Sequence, residues 1–240
     1  MFWKSWTIAN KDFKIFRKKK RIIYALIILP LILSISFPMV FLTVNTSDSA
    51  EILVLLNAFS FFYIILAYIL PNTLSSYSIV GEKIEQSLEP LLATPITDGE
   101  LLFGKIIASF LPCILMVYLG AIIFMLLTDL ITYSNIGMIF FPNWDMTFIL
   151  LLAVPLSSIL SVQLNVIISS RVNDIRTANQ LGIIIFIPFI AVYLLLETNT
   201  LSLNIFNLFI ISLTLLILDV MLFYLSKAIF SRDQILTKWK

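Results

Sequence analysis

The amino-acid sequence predicts an all-α membrane protein that crosses the bilayer six times, and two observations carry this prediction. Of the 240 residues, 60% are hydrophobic and 12% are charged, with a mean hydropathy of +1.03, which is more apolar than the surface of a soluble domain allows. Apolar runs of about 20 residues or more recur, each long enough to cross about 30 Å of hydrocarbon as a helix. The runs do not alternate polar and apolar residues, as the strands of a membrane β-barrel would.

Composition also limits the chemistry that this chain can perform. It contains one cysteine, Cys113, and no histidine, so it cannot assemble a transition-metal site, a Ser-His-Asp triad or a Cys-His nucleophile. A protease of the paired-aspartate type would need two aspartates inside the membrane, and Asp219 is the one good candidate. We therefore predict no catalytic residue, cofactor site or metal site in this chain.

Residues 1–21 predict an amphipathic helix that lies on the membrane surface. Five apolar residues recur at spacings of three and four and so share one helix face: Phe2, Trp6, Ala9, Phe13 and Phe16. Eight lysines and arginines occupy the same segment, a combination typical of helices in the headgroup region. The alternative is the charged start of a signal peptide, but the apolar run that follows is too long and lacks a small-residue cleavage site.

The hydropathy pattern assigns residues 1–240 to a single membrane domain. The six predicted spans cover about residues 22–44, 52–79, 101–127, 147–168, 181–196 and 203–226. Residues 128–146 are predicted to form a loop whose aromatic residues rest at the interface.

The distribution of basic residues predicts the orientation of these spans. All 16 lysines and arginines lie in four segments, with eight in residues 1–21, two in 81–105, two in 169–180 and four in 227–240. The three remaining loops carry only acidic charges. Because cytoplasmic loops are enriched in Lys and Arg, both termini and the 81–105 stretch are predicted to be cytoplasmic.

The longest polar interruption is residues 81–105, GEKIEQSLEPLLATPITDGELLFGK, of which residues 81–100 form the predicted loop between spans two and three. Ser87 is a suitable N-cap for a short helix that Thr94-Pro95 ends, with leucines on one face. Thr97 and Glu100 have the spacing of a capping box at the start of span three. The short helix is suited to docking into a groove of a soluble partner or to packing on the membrane surface, and its spacing leaves both open.

Four polar residues inside the predicted spans are candidates for a transport path: Asn57, Gln163, Asn165 and Asp219. Intramembrane carboxylates are by default functional candidates, but Asp219 lies only eight residues before Lys227 and has the alternative role of a snorkelling or paired acid near the cytoplasmic boundary. The three amides have the alternative role of joining helices by hydrogen bonds, which we favour.

The 81–105 stretch resembles the signature of type-2 ABC (ATP-binding-cassette) transporter permeases. Sixteen of its residues stand as that signature has them: Gly81, Glu82, Lys83, Leu88, Glu89, Pro90, Leu91, Leu92, Ala93, Thr94, Pro95, Glu100, Leu101, Leu102, Gly104 and Lys105. Gln86 and Ser87 replace its Gly-Thr pair, and the serine keeps a capping oxygen.

The resemblance implies an ABC exporter subunit that lacks an ATPase of its own. ATP and Mg²⁺ would bind to a separate ATPase subunit, and a second permease, identical or related, would complete the substrate path. The 81–100 loop would be a coupling helix, and residues 1–21 an elbow helix beside it. We expect the cell membrane of a prokaryote as the location, with membrane lipid as a partner and no nucleic acid.

Carried over to this chain, the resemblance implies two sets of contacts with the ATPase. The main set is Glu82, Lys83, Glu85, Leu88, Glu89, Pro90, Leu91 and Leu92. The turn between spans four and five would add Arg171, Asn173, Asp174 and Arg176. The alternative role of that turn is to anchor two helix ends by positive charge.

Two rival functions follow from other features. An ion-gradient-driven transporter would use Asp219 as its proton or sodium site, although such a pathway usually needs several acids. A membrane enzyme acting on lipids would need clustered Asp, His or Arg at the interface. Residues 99–105, GELLFGK, resemble half of a phosphate-binding loop, but Ile106 replaces the hydroxyl that binds Mg²⁺, so we predict no nucleotide site here.

Overall fold

The computed structural model of the protein describes residues 2–42, 49–85, 96–197 and 205–229, and these ranges contain helices and no strand. The helices are α1 (Phe2–Lys18), α2 (Lys20–Val40), α3 (Ser49–Ile84), α4 (Asp98–Ile136), α5 (Trp144–Phe148), a π-helical turn (Ile149–Ala153), α6 (Val154–Arg171), α7 (Ile175–Ile185), α8 (Ile187–Glu197) and α9 (Ile205–Ile229).

Five helical stretches within these ranges are long and apolar enough to cross a membrane, which confirms a polytopic all-α membrane protein. They are Ile22–Val40, Ile52–Ile84, Gly99–Ser134, Trp144–Arg171 and Ile205–Ser226. They coincide with predicted spans one, two, three, four and six.

The region of the fifth predicted span, residues 181–196, differs from a single continuous helix. It is divided between α7 and α8 at Phe186, and each of these helices has only 11 residues. Pro188 explains the break, because it has no N–H to donate to the carbonyl of Ile184. Phe186 is buried and stacks on Tyr68 of α3, with ring centroids 3.8 Å apart.

The predicted loop over residues 128–146 is shorter than expected, because α4 continues to Ile136. Gly137 ends the helix with a φ of 74°, a left-handed conformation that glycine adopts without steric cost. Asp129 then accepts hydrogen bonds from the backbone N–H groups of Phe140 and Phe141, both 3.0 Å long. These bonds hold the residues after α4 against its last turns.

The fourth span is one continuous stretch, Trp144–Arg171, that contains the π-helical turn. Pro155, near the start of α6, has no N–H to donate to a preceding carbonyl. The hydroxyl of Tyr118 on α4 donates to the carbonyl of Leu150 in the turn at 2.8 Å. Helix α4 thus supplies a hydrogen-bond donor to a carbonyl of the π-helical turn. Such a donor is needed because no water is present in the hydrocarbon core to take its place.

Helix α3 is the centre of the fold and packs against α2, α4, α6, α7 and α8. In the most apolar 18-residue stretch of α3, 67% of the residues are buried, whereas 22% are buried in the corresponding stretch of α9. Small residues let α6 approach closely: Ser157 donates to the carbonyl of Ile64 and Ser161 to the carbonyl of Tyr68. The remaining apolar faces of α2, α4 and α9 point outwards.

Candidate coupling site

The 81–105 motif joins the end of α3 to the start of α4, and the structure describes its two ends. Residues 81–85 and 96–105 are described, whereas residues 86–95 lie outside the described ranges. The predicted short helix, with Ser87 as its cap, therefore stays a prediction. The same holds for five predicted contacts: Leu88, Glu89, Pro90, Leu91 and Leu92.

The capping box at the start of α4 is confirmed. The hydroxyl of Thr97 accepts from the N–H of Glu100 at 3.3 Å, and the Thr97 N–H donates to Glu100 Oε2 at 3.0 Å. Ser5 of α1 donates to the Glu100 carbonyl at 3.0 Å, which brings α1 against the first turn of α4. The capping box therefore fixes Thr97 as the residue at which the loop ends and α4 begins.

A buried cluster of charges holds the motif's two ends together, and we call it the Lys105 cluster: Lys11, Asp12, Ser78, Glu82 and Lys105. Lys105 Nζ lies 2.7 Å from Glu82 Oε2 and 3.5 Å from Asp12 Oδ2, and all three side chains are buried. The ammonium also donates to the Ser78 carbonyl at 3.1 Å and to its hydroxyl at 2.9 Å. Such pairing is what makes the burial of charge tolerable.

Helix α1 takes part in this cluster through two neighbouring residues. Lys11 Nζ lies 2.8 Å from Glu82 Oε1. Asp12 Oδ2 accepts from the Ser78 hydroxyl at 2.6 Å. The cluster thus connects α1, the end of α3 and the start of α4, with two ammonium groups beside two carboxylates.

Lys83 connects the motif to the end of α6. Its ammonium donates to the carbonyl of Ser169, and its side chain is buried. The Ser169 hydroxyl in turn donates to Asn165 Oδ1 at 2.7 Å. Because α6 ends at Arg171, this contact lies just before the turn predicted as the second cytoplasmic contact.

The three described members of the main predicted contact set therefore face in different directions. Glu82 and Lys83 point into the protein, while Glu85 is exposed and lies 3.4 Å from Lys19. Sequence reasoning did not assign Lys11, Asp12 or Ser78 to this site. One signal was available, because Asp12 is the single acidic residue among the basic residues 1–21.

The turn between α6 and α7 is exposed at all four predicted positions: Arg171, Asn173, Asp174 and Arg176. Asp174 also caps α7, because its Oδ2 accepts from the Thr177 N–H and hydroxyl, both at 2.9 Å. The hydrogen bond from the Thr177 N–H lowers the pKa of Asp174 below its ordinary value.

The four polar residues inside the spans are not brought into one site. Asn165 joins α6 to α3, since its Nδ2 donates to the Asn72 carbonyl at 2.9 Å, to Asn72 Oδ1 at 2.6 Å and to the Ser76 hydroxyl at 2.7 Å. Asn72 donates in turn to Asn179 of α7. Within the described part of the chain, Gln163 Oε1 and both Asp219 oxygens are buried and accept no hydrogen bond. Asn57 is half-buried on α3.

Comparison with known proteins identifies a family for nearly the whole chain. A family model described as ABC-2 family transporter protein matches residues 6–237. The search among curated proteins found no significant match.

Proposed function

Because the chain belongs to the ABC-2 family of transporter proteins and is a membrane permease, we propose that it is the permease subunit of an exporter driven by a separate ATPase. ATP and Mg²⁺ bind in that partner, and this chain contributes no catalytic site. A second permease, identical or related, completes the substrate path. The assembly resides in the cell membrane of a prokaryote.

The observation that carries the proposal is the Lys105 cluster at the base of the 81–105 motif. The ATPase docks on residues 87–95, with Glu85 as an exposed contact at the edge. Since Glu82 in the last turn of α3 pairs with Lys105 of α4, a displacement of the loop between them moves α3 and α4 together. Lys11 and Asp12 transmit the same displacement to α1.

The contact between Lys83 and Ser169 connects the motif to α6 as well, so that a displacement of the motif also moves α6. Helix α6 leads directly to the exposed turn with Arg171 and Arg176, which acts as the second ATPase contact. Both cytoplasmic contacts are thereby joined through one buried ammonium group. The chain of hydrogen bonds through Asn165 and Asn72 continues from there to α7.

The proposed topology has six crossings with both termini in the cytoplasm. Helices α7 and α8 together form the fifth crossing, because residues 175–197 can extend to at most about 34 Å at 1.5 Å per residue, which exceeds the thickness of the hydrocarbon core. This arrangement leaves every lysine and arginine on one side of the membrane, as the positive-inside rule expects. It also makes α1 the elbow helix on the cytoplasmic surface.

Copurification with an ATPase tests this proposal. The tagged chain is purified gently from its native membrane, and retained proteins are identified by mass spectrometry. We expect an ATPase with a complete Walker motif to be retained by the wild type and lost from the double variant Glu89→Lys, Leu91→Asp. The charge reversal Asp48→Lys, in a loop predicted on the opposite side, is the control and should retain it. Absence of any ATPase from the wild type, even after crosslinking, contradicts the proposal.

Asp219 supports one alternative function, a transporter driven by an ion gradient. Its carboxylate is buried in α9, and neither oxygen accepts a hydrogen bond from the described residues. A coupling ion would supply the missing partner. This alternative predicts sodium or proton binding by the purified chain that is lost in Asp219→Asn, whereas the exporter proposal predicts no such binding.

A further inference from the structure

A groove on the outer surface of the helix bundle, between α1 and α2, has an unusual lining. Its cavity measures about 290 Å³, close to the lower end of the range of ligand pockets. Residues of α1 and α2 line it, together with Leu74 of α3 and Pro112 and Met116 of α4. We call it the α1–α2 groove.

One charged residue, Arg17, stands among the ten that line this groove. The other nine are apolar and include Phe13 and Phe16 of α1 and Ile23 and Ile27 of α2. Arg17 is exposed and forms no ion pair with an acidic residue of the described ranges. The groove therefore combines an apolar lining with one guanidinium group that has no acidic partner among the described residues.

Two residues that line the groove, Leu74 and Met116, lie about half the thickness of the hydrocarbon core from Lys83 and Lys105, measured along their helices. Leu74 lies nine residues before Lys83 on α3, and Met116 lies eleven residues after Lys105 on α4. These separations correspond to about 14 Å and about 16 Å of helix. Half the hydrocarbon core of a bilayer is about 15 Å thick. An acyl chain whose headgroup lies at the level of these two lysines therefore reaches Leu74 and Met116.

We propose that the α1–α2 groove binds one anionic phospholipid of the cytoplasmic leaflet. One acyl chain lies on the apolar lining, and the phosphate accepts hydrogen bonds from Arg17, whose planar guanidinium fits phosphate oxygens in a bidentate manner. The neighbouring Lys18 and Lys20, both exposed, add positive charge at the headgroup. The bound lipid fills the space between α1 and α2 and so holds the elbow helix against the bundle.

Two variants separate the headgroup contact from the acyl-chain contact. Arg17→Gln removes the charge, and Lys14→Gln is its control, because Lys14 is an exposed base of the same helix that does not line the groove. Ile27→Trp fills the groove without changing charge. Its control is Ile28→Trp, since Ile28 is 48% exposed and lies outside the groove.

Native mass spectrometry of the full-length chain in detergent tests the proposal, with palmitoyl-oleoyl phosphatidylglycerol and the corresponding phosphatidylcholine as probes. We expect one phosphatidylglycerol per chain, with Arg17→Gln weakening its binding about fivefold, the size expected for one basic residue beside an anionic lipid. Ile27→Trp should abolish the bound lipid, and both controls should retain it.

Equal binding of the two lipids, or unchanged binding in Arg17→Gln, would overturn the proposal and leave an ordinary lipid-filled crevice. The measurement requires only the membrane chain and no ATPase. Its failure would therefore leave the proposed exporter function unaffected, and the reverse also holds.

Discussion

Lys105 of α4 and Glu82 of α3 form a 2.7 Å ion pair although the loop between the two helices separates them in sequence. Both side chains are buried, and Asp12 of α1 lies 3.5 Å from the same ammonium group. The pair closes the loop at its base, so residues 86–95 are bounded by two helix ends that are held together. In the proposed mechanism, a displacement of the loop therefore moves three helices together.

The Lys105 cluster predicts a large loss of stability for Lys105→Met. The substitution leaves Glu82 and Asp12 as buried carboxylates without their shared cation, and breaking such a pair costs about 3–5 kcal/mol. Thermal unfolding of the purified protein in detergent measures the change. Lys11→Met is the matched control, because Lys11 is 39% exposed and partly exposed pairs contribute about 1 kcal/mol or less. Equal losses in the two variants would show that Lys105 is not the centre of the cluster.

We expect a larger side chain at Gly182 to cause a steric clash at the contact between α7 and α3. A Cβ atom at this position would lie 2.1 Å from Asn72 Oδ1, so Gly182→Ala must displace the Asn72 side chain. Overpacking of this kind costs about 1–3 kcal/mol, and we expect a corresponding drop in melting temperature. Gly99→Ala is the control, since nothing lies within 4 Å of a Cβ there. A Gly182→Ala variant as stable as Gly99→Ala would contradict the close approach.

Much of the fold could be predicted from the sequence because apolar runs and capping residues act locally. Five of the six spans and the capping box of Thr97 and Glu100 are found where predicted. Hydropathy does not predict the break at Phe186, because it does not depend on whether a residue has an N–H to donate, and Pro188 has none. Hydropathy does not predict the extension of α4 to Ile136, because the last turns of this helix are polar and polar residues are typical of loops.

The candidate site shows a different limit of sequence analysis. A motif identifies the residues that belong to a site, but the direction of each side chain depends on neighbouring helices. Glu82 and Lys83 are buried because α1 and α6 pack against the end of α3, and no spacing within the motif indicates this. The hydrogen-bonding role favoured for Asn165 did follow from the general behaviour of amides between membrane helices.

We expect a moderate loss of protein stability when the hydrogen bonds of Asn165 are removed. Asn165→Leu deletes the donor to Asn72 and Ser76, and bonds of this kind between membrane helices contribute about 0.6 kcal/mol each, up to about 1.7 kcal/mol. Gln163→Leu on the same helix is the control, because Gln163 Oε1 accepts no hydrogen bond within the described residues. Thermal unfolding should show the larger loss for Asn165→Leu. The opposite order would make Asn165 a better candidate for the transport path than for helix packing.

We expect Asp174 to protect the first turn of α7 from hydrogen exchange in a pH-dependent manner. Because its pKa is lowered in the folded protein, the stabilisation is complete above the unfolded pKa of about 3.9 and is lost as pH falls through the lower folded-state value. Hydrogen exchange at Thr177 should therefore be slower in the wild type than in Asp174→Ala at pH 6. As pH falls below the folded-state pKa, the ratio should fall to the smaller value expected for a neutral cap, which Asp174→Asn represents. Asp174→Asn keeps a capping oxygen, and its ratio to Asp174→Ala should not change with pH; a constant wild-type ratio would contradict the ionised cap.

The central claim, that a separate ATPase docks on the 81–105 motif, is tested most directly by photo-crosslinking in cells. A photo-reactive residue is placed at Leu91, or at Ser134 near the opposite end of α4 as the control. We expect Leu91 to form an adduct with an ATPase that carries a complete Walker motif, and Ser134 to form none. No ATPase adduct from Leu91, or equal adducts from both positions, would contradict the account.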